Sequence, residues 1–544
     1  MIPEKNKEYT AIVTGVSSDG NGICRIDGYT LFVPQTVTGD KIRVLVVKTR
    51  TGFGYGKCTE IVEPSPYRTE PVCSAYRRCG GCQLMHIDYA YQTEIKRGII
   101  ENAMRRIGGF EDFSVSDMVG ADEPYRYRNK MIFPIGKDRN GDIVCGFYAQ
   151  RSHDIMPLDD CVAGGDFNGT VIRAVKEYMR ENNVSPYDEK THTGLVRRVF
   201  TRVSAKYGSV MVVISVNGDN LPQREKLIKK LRTACPDIAS VIVNINKKRT
   251  NLVLGDKNIT VWGSDTIKDS LLGLDFEISP HSFFQINHDM TEKLYAKALE
   301  FADLSGSENV MDIYCGIGTI SLCAAKCAKS VIGVEIVEKA IEDARKNAES
   351  NGIENAEFYA SSAEETVPKL IESGRRADVV ILDPPRKGSE EKTLSAIVKA
   401  APKRIVYVSC NPATLARDAK YLCENGYSIT KSAGFDMFPN TMHVETCVLL
   451  SKLKSSKSVS IELDLDDLEI TAAEARDTYG EIKEYILNKY GFKVSSLNIT
   501  QVKQECGIIE RENYNKPSGK YRQPQCPEHK FNAIKETLEH FKMI

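Results

Sequence analysis

The spacing of hydrophobic and polar residues changes character several times along the 544-residue chain. Residues 8 to 62 hold short β-rich stretches (YTAIVTGVSSDG, GICRIDGYTLFVP, KIRVLVVKTRTGFGYGKCTEIVEP) broken by Gly, Asn and Asp. Turn signals that frequent predict a small antiparallel barrel, closed off by Pro64 and Pro66. A cysteine-rich stretch follows, then a helix predicted from about Tyr89 to Arg106. From about 115 to 280 the pattern is mixed: strands VRRVFTRVSAK and SVMVVISVNG, a helix from Leu221 to Thr233, and strand SVIVNIN. From about 285 to 453 apolar strands (NVMDIYC, SVIGVEIV, DVVILD, RIVYVSC) alternate regularly with helical segments. That alternation predicts right-handed crossovers and a mainly parallel, doubly wound sheet.

Beyond Lys454 a Ser- and Asp-rich stretch reads as a linker, followed by helices over 472–489, 499–506 and the C-terminus. The expected plan is a multi-domain α/β chain: an OB-like β-barrel (1–66), a cysteine region (67–114), an α+β central domain (115–284), a Rossmann-like domain (285–453) and a small α-helical tail (454–544).

Composition changes this picture little. With 73 basic and 73 acidic side chains, bulk charge does not mark a nucleic-acid binder, so any such affinity must be local. No apolar run suits a membrane span or a signal peptide, so a soluble, cytoplasmic and monomeric protein is expected. Sixteen cysteines in such a chain are expected to be reduced, with a few reserved for metal or catalysis.

Two stretches carry chemistry. VMDIYCGIGTISLCAAK reads as strand, glycine turn and helix, with Gly316 and Gly318 letting the backbone approach a ligand. Glu335 ends the next strand 19 residues after Gly316, where a carboxylate can accept from both ribose hydroxyls. Ser321 replaces the third glycine of the dinucleotide fingerprint, which favours S-adenosylmethionine over a pyrophosphate cofactor. Further on, DPPRKG and SCNPATLARD place Asp383 and Cys410 at two strand tips. Cys410 precedes a helix, and Arg386, Lys387 and Arg417 are close in sequence, so its thiolate is expected to be favoured. A thiolate adding to carbon 6 of uracil makes carbon 5 nucleophilic, after which a base must remove the carbon 5 proton. Glu445, with His443 beside it in MHVETCVLL, is the candidate base.

SFFQIN, DIYCGIGTISL, DPPRKG, SCNPATLARD and HVET together resemble the RNA uracil-5-methyltransferase family, in its branch with a TRAM domain and an iron–sulfur cluster. The resemblance spans roughly residues 8 to 453. It implies Cys410 as nucleophile and Glu445 as base, and S-adenosylmethionine at Gln285, Tyr314, Gly316, Gly318, Glu335 and Asp383, with Thr319 and Ser362 at more variable lining positions. A flipped uridine follows, because the thiolate cannot reach carbon 6 within a stacked helix.

Cys73, Cys79 and Cys82, with the distant Cys161, could hold a [4Fe–4S] cluster or a structural zinc, and their spacing matches the family's cluster pattern. The resemblance favours 23S rRNA as substrate, with tRNA as the alternative; a non-catalytic RNA-binding or assembly protein is the rival from another class. The barrel is near neutral, with 8 basic and 6 acidic side chains in residues 1–62. Candidate RNA contacts therefore lie in the central domain: Arg126, Arg128 and Lys130 among tyrosines, and Arg197 and Arg198 in an acid-free stretch. The tail, with 13 basic and 15 acidic residues from 455 to 544, offers no electrostatic footprint.

Overall fold

A computed structural model describes residues 2–150, 152–250, 252–453, 478–506 and 526–541. The chain divides into two compact units, with the break after Lys454.

Five strands, β1 (Glu8–Val16), β2 (Asn21–Ile26), β3 (Tyr29–Pro34), β4 (Lys41–Thr49) and β5 (Phe53–Glu63), close into a barrel in the order β1-β2-β3-β5-β4. Alternate residues point inward, and Val13, Leu31, Val33, Ile42 and Val44 fill the interior. The barrel is not wholly antiparallel as expected. The chain passes from β3 to β4 without pairing them, so β3 and β5 meet in parallel.

The helix α1 (Tyr89–Arg106) begins at Asp88, whose carboxylate accepts from the amides of Ala90 and Tyr91. Next, β6 (Asp117–Val119) precedes the central sheet, built from β7 (Lys130–Lys137), β8 (Ile143–Tyr148), β9 (Ile155–Pro157), β10 (Val196–Val203), β11 (Val210–Val216), β12 (Ile238–Ile245) and β13 (Lys257–Gly263). One face of this sheet buries α2 (Phe167–Glu181) and α3 (Arg224–Ala234). Phe200, Met211 and Ile242 join the core beneath the last sheet instead. A short hairpin, β14 (Ile267–Leu271) and β15 (Leu274–Ile278), leads out of this domain.

The last sheet alternates as the sequence predicts: α4 (His288–Ala302), β16 (Asn309–Ile313), α5 (Thr319–Ala325), β17 (Ser330–Glu335), α6 (Glu338–Ser350), β18 (Ala356–Ala360), α7 (Ala363–Glu372), β19 (Val379–Leu382), α8 (Glu391–Ala400), β20 (Arg404–Ser409), α9 (Pro412–Glu424), β21 (Tyr427–Phe435) and β22 (Glu445–Lys452). Its strand order is β18-β17-β16-β19-β20-β22-β21-β6. Strand β6 lies in the stretch expected to be central domain, yet it pairs in parallel with β21, Met118 opposite Gly434. Ile100 and Met104 of α1 pack in the same core as Leu415 and Ala419 of α9. Part of the polypeptide before residue 120 thus builds the last domain, because its apolar side chains find their partners there.

The second unit holds α10 (Thr478–Tyr490), α11 (Ser496–Glu505) and α12 (Glu528–His540) around Ile482, Ile486, Ile499, Val502, Ile534 and Leu538. The expected linker and the start of the 472–489 helix fall outside the described residues.

Candidate active site

Strand order reverses between β16 and β19, and ligands of such sheets bind where the crossovers part, beyond the carboxyl ends of the strands. Tyr314, directly after β16, takes a left-handed backbone (φ 72°), held by its N–H donating to the Val334 carbonyl at 2.8 Å. Gly316 (φ 56°) and Gly318 (φ 83°) continue the turn into α5. Glu335, at the end of β17, accepts from the Gly316 amide (3.3 Å) and the Val337 amide (3.0 Å). Thr319 opens α5 and shares a 3.1 Å hydrogen bond with the buried Tyr295 hydroxyl. Ser362 is the N-cap residue of α7, with no side-chain cap bond of its own. Asp383 follows β19. Gln285 is buried in the loop before α4, and its carbonyl accepts from the Asn129 side chain at 2.8 Å. Seven of these eight residues stand at the ends of β16, β17 and β19 or at the starts of the helices that follow β16 and β18, and Gln285 belongs to the loop entering the sheet's first helix.

Cys410 directly follows β20, and Asn411 caps α9 by accepting from the Ala413 amide. Strands β20 and β22 are antiparallel with Ser409 opposite Thr446, so the same register sets Cys410 opposite Glu445. Glu445 is in turn opposite Phe435. The thiol is half-buried and the carboxyl is buried.

The electrostatics differ from the sequence-based expectation. Burial pushes the Cys410 thiol up to about 11, Glu445 and Asp383 push the same way, and Arg386 and a backbone hydrogen bond oppose them. Lys387 is paired with Glu390 (2.8 Å), and Arg417 with Asp418 (2.7 Å), so two of the three expected cations are engaged elsewhere. The free protein therefore holds a thiol here, not the favoured thiolate. Burial, then Asp383, raises Glu445 well above the usual carboxylate range. Asp383 rises to about 7, through burial and then the neighbouring Asp312.

Asp312 was not picked out by sequence reasoning. It sits within β16, buried, with one carboxyl oxygen accepting from the Ser321 hydroxyl (2.5 Å) and the other without a partner. Burial pushes it up to about 7 as well. The signal in the sequence was an acid inside an apolar strand, three residues before Cys315. Two high-pKa carboxyls beside the thiol, with Asp312 behind Asp383, form a site that gains from receiving a cation.

The segment between β21 and β22, residues 436–444, is fastened from every side. Lys96 of α1 forms a fully buried ion pair with Asp436 and donates to the Phe438 carbonyl at 3.0 Å. The amides of Gln83 and Leu84 both donate to the Asn440 carbonyl (2.9 and 3.0 Å). Asn440, itself left-handed (φ 64°), donates its backbone N–H to Gln92 Oε1, accepts from Gln92 Nε2 at its side-chain oxygen, and donates its side-chain amide to the Pro124 carbonyl at 2.9 Å. The cysteine region is thus tied to the strap that carries His443 and Glu445.

Cys73, Cys79, Cys82 and Cys161 all line one cavity of about 650 Å³, together with Tyr127 and Lys130. Among the described residues no group of three or more His, Cys, Asp or Glu closes tightly enough to hold a single metal ion.

Three of the five expected RNA-binding residues are engaged within the protein. The Arg126 guanidinium pairs with Asp160 and Asp166 and donates to the carbonyls of Cys161 and Gly164, so it fixes the loop of the fourth cysteine. Arg197 is buried, donates to the carbonyls of Asn246, Lys248 and Thr250, and lies 4.4 Å above the Tyr187 ring. Arg198 donates to Leu252 at 2.9 Å and faces Glu189. Sequence spacing shows the charge but not the carbonyls that fold around it. Arg128 and Lys130 line the cysteine cavity instead; burial, then Arg202 and Arg128, lower Lys130 to about 8, and it stands 6.0 Å from the centre of the exposed Phe283 ring.

Known proteins resemble this chain over most of its length. Residues 223–453 match the model of the tRNA (uracil-5-)-methyltransferase family, and residues 4–59 that of the TRAM domain. An RNA methyltransferase of Clostridium tetani is 45% identical over 448 residues, covering 82% of this chain and 97% of that protein. One from Clostridium acetobutylicum is 44% identical over 456 residues, covering 83% and 99%. Among solved structures, the Pyrococcus abyssi tRNA (uracil-54, C5)-methyltransferase in complex with S-adenosyl-L-homocysteine is 31% identical with a TM-score of 0.66, covering 81% of this chain and 100% of that one. The chain belongs to the TRAM-containing family of S-adenosylmethionine-dependent RNA uracil-5-methyltransferases.

Proposed function

We propose that Cys410 and Glu445 carry out this methylation through a covalent adduct on a uridine extruded from 23S ribosomal RNA, in the cytoplasm. The observation that carries the mechanism is the β20–β22 register, which sets the thiol opposite the carboxyl beside the crevice. When bound, S-adenosylmethionine supplies an electrophilic methyl group on a sulfonium. Cys410 passes its proton to solvent water as its sulfur bonds to carbon 6, and the carbon 5–carbon 6 π electrons move onto oxygen 4. Arg386 is the cation placed to ease the loss of that proton. As the carbonyl re-forms, carbon 5 takes the methyl group. Glu445, ionised at that stage, removes the carbon 5 proton, and the electrons left behind restore the ring double bond and expel the Cys410 thiolate. Asp383, Gln285, Tyr314 and Glu335 hold the methyl donor, with Gly316 and Gly318 giving its approach and Thr319 and Ser362 lining it. The positive methyl donor also lowers the cost of ionising Glu445, because the buried carboxyls gain a counter-charge.

Cys73, Cys79, Cys82 and Cys161 hold a [4Fe–4S] cluster, which supplies a four-point staple for loops without other secondary structure. The cytoplasmic assignment is supported by sixteen free cysteines, which suit a reducing compartment. The preference for ribosomal RNA rests on the four-cysteine module; the archaeal neighbour, which acts on uracil 54 of tRNA, supports tRNA as the competing substrate. The test is to present 5-fluorouridine RNA, which lacks the removable proton. A stable protein–RNA adduct that Cys410→Ala abolishes is expected, and methylation by Cys410→Ala would overturn the mechanism.

A further inference from the structure

Residues 383–390, which carry Arg386, form a loop between β19 and α8 outside any strand or helix. Pro384 and Pro385 have no amide to donate, and one internal backbone bond, from the Gly388 amide to the Pro385 carbonyl (2.8 Å), closes a turn. The Arg386 side chain is exposed and has no ion-pair partner among the described residues, so the backbone alone fixes where its guanidinium starts from.

That backbone is fastened to α9. Asn411, next to Cys410, donates its side-chain amide to the Arg386 carbonyl at 3.0 Å. Further along the helix Asp418 is buried, and one of its carboxylate oxygens accepts from the Ser389 amide (2.8 Å) and from the Tyr407 hydroxyl of β20 (2.6 Å). The other accepts from the Arg417 guanidinium at 2.7 Å, and Arg417 in turn donates to the carbonyls of Lys387 (3.0 Å) and Ser389 (3.2 Å). Gly388 lies against this clamp, left-handed at φ 78°; a methyl group added there would lie 2.5 Å from Arg417 Nη2 and 2.6 Å from Asp418 Oδ2. A carboxylate is costly to bury unless its lone pairs are filled. Those of Asp418 are filled by the strand that ends before Cys410, the helix that begins after it and the loop of Arg386.

We propose that Asp418 is a positioning residue for the methylation: with Arg417 it holds the loop on α9, so that the Arg386 guanidinium stays set against the Cys410 sulfur. The charged groups facing that sulfur are Glu445 from β22, Asp383 from the tip of β19 and Arg386 from the loop, and Arg386 is the one cation among them. A long, exposed side chain leaves its place when its anchor does, and a shift of about 1 Å is enough to slow a positioned reaction severely. Asp418 therefore acts through Arg386, not on the substrate. The inference rests on the covalent reading above, because it concerns the cation beside the attacking sulfur.

The test is a double-mutant cycle on the full chain, read as the single-turnover rate of adduct formation with 5-fluorouridine RNA and S-adenosylmethionine. Arg386→Gln is expected to slow this step about a hundredfold. Asp418→Asn, which keeps the side-chain volume, is expected to slow it about tenfold. The double variant is expected to match Arg386→Gln alone, because a clamp without its guanidinium has nothing left to place. S-adenosylmethionine affinity is expected to stay within about twofold of the parent in every variant. Gly388→Ala displaces the clamp without removing a charge; it is expected to show the same loss, again absent in the Arg386→Gln background, and it carries the test if Asp418→Asn does not fold. Losses that multiply, or rates that do not change, overturn the proposal, as does a parallel loss of S-adenosylmethionine binding. A parent chain that forms no Cys410-dependent adduct removes the covalent reading and this inference with it; a normal parent adduct with multiplying losses removes the inference alone.

Discussion

Two groups of thiols stand in the molecule in opposite settings. Cys410 is one thiol on a sheet edge, where strand register, a helix cap and buried carboxyls fix its surroundings to within one residue. Cys73, Cys79, Cys82 and Cys161 come from loops, and their cavity is held by side-chain devices such as the Arg126–Asp160 pair. A reacting sulfur must meet one atom of the substrate at one angle, so its precision has to come from a rigid scaffold. Sulfurs that staple loops supply rigidity and can sit where the backbone has none. The two regions touch through Asn440, which accepts two amides from the cysteine loop and leads into the strand of Glu445.

The largest expected effect lies on the sheet side. Cys410→Ala should reduce methyl incorporation by at least about a thousandfold while leaving S-adenosylmethionine affinity unchanged; appreciable turnover would place the nucleophile elsewhere. Glu445→Gln should lower kcat by roughly 10² to 10⁴. Its distinguishing mark is a protein–RNA adduct with ordinary uridine RNA that persists on denaturing gels, since the final proton cannot leave. A slow enzyme without that adduct would assign the base to another group.

On the loop side, Cys82→Ser should remove bound iron yet still allow fluorouridine trapping at Cys410. Loss of trapping in a folded, iron-free variant would join the two sites into one catalytic unit and dissolve the contrast.

A pH experiment is gentler. Asp312 and Asp383 both rise to about 7, mainly by burial, so each is largely protonated below that pH. A sulfonium favours their ionised forms. Affinity for S-adenosylmethionine should therefore increase from pH 6 to 8, about tenfold for each pKa unit that the sulfonium removes. Neutral S-adenosylhomocysteine should show a shallower slope, and equal slopes in calorimetry would show that these carboxyls do not sense the sulfonium.

The smallest effect is expected at the connection. Asn440→Gly keeps the left-handed backbone and the amide bond to Gln92 but loses the side-chain bonds to Gln92 and Pro124, at a cost of about 1–3 kcal/mol. Asn440→Ala adds backbone strain to that loss. Both should lower kcat more than RNA affinity, with the glycine variant the milder; identical values would give the backbone conformation no role.

The sequence displayed what is local. Gly316, Gly318 and Glu335 belong to a strand, a turn and the next strand, and Cys410 and Asp383 are strand ends, so period and punctuation were enough to place them. Whatever depends on distant partners was hidden. The position of Cys410 before a helix was visible, but the carboxyls that raise its pKa arrive from β19 and β22. Arg197 and Arg198 read as free charge because the carbonyls from residues 246–252 that enclose them are about 50 positions away. Asp312 went unmarked because the carboxyl set beside it, Asp383, comes from the tip of another strand.

Strand β6 has a consequence for how the chain is made. Asp117 ends up beside Ala433, so α1 and β6 leave the ribosome some 300 residues before the sheet they complete. Until then Ile100 and Met104 lack their final neighbours, and the nascent protein carries these apolar side chains uncovered through the synthesis of an entire intervening domain. An excised fragment starting at residue 285 would meet the same problem from the other end, with β21 as a bare edge open to pairing between molecules.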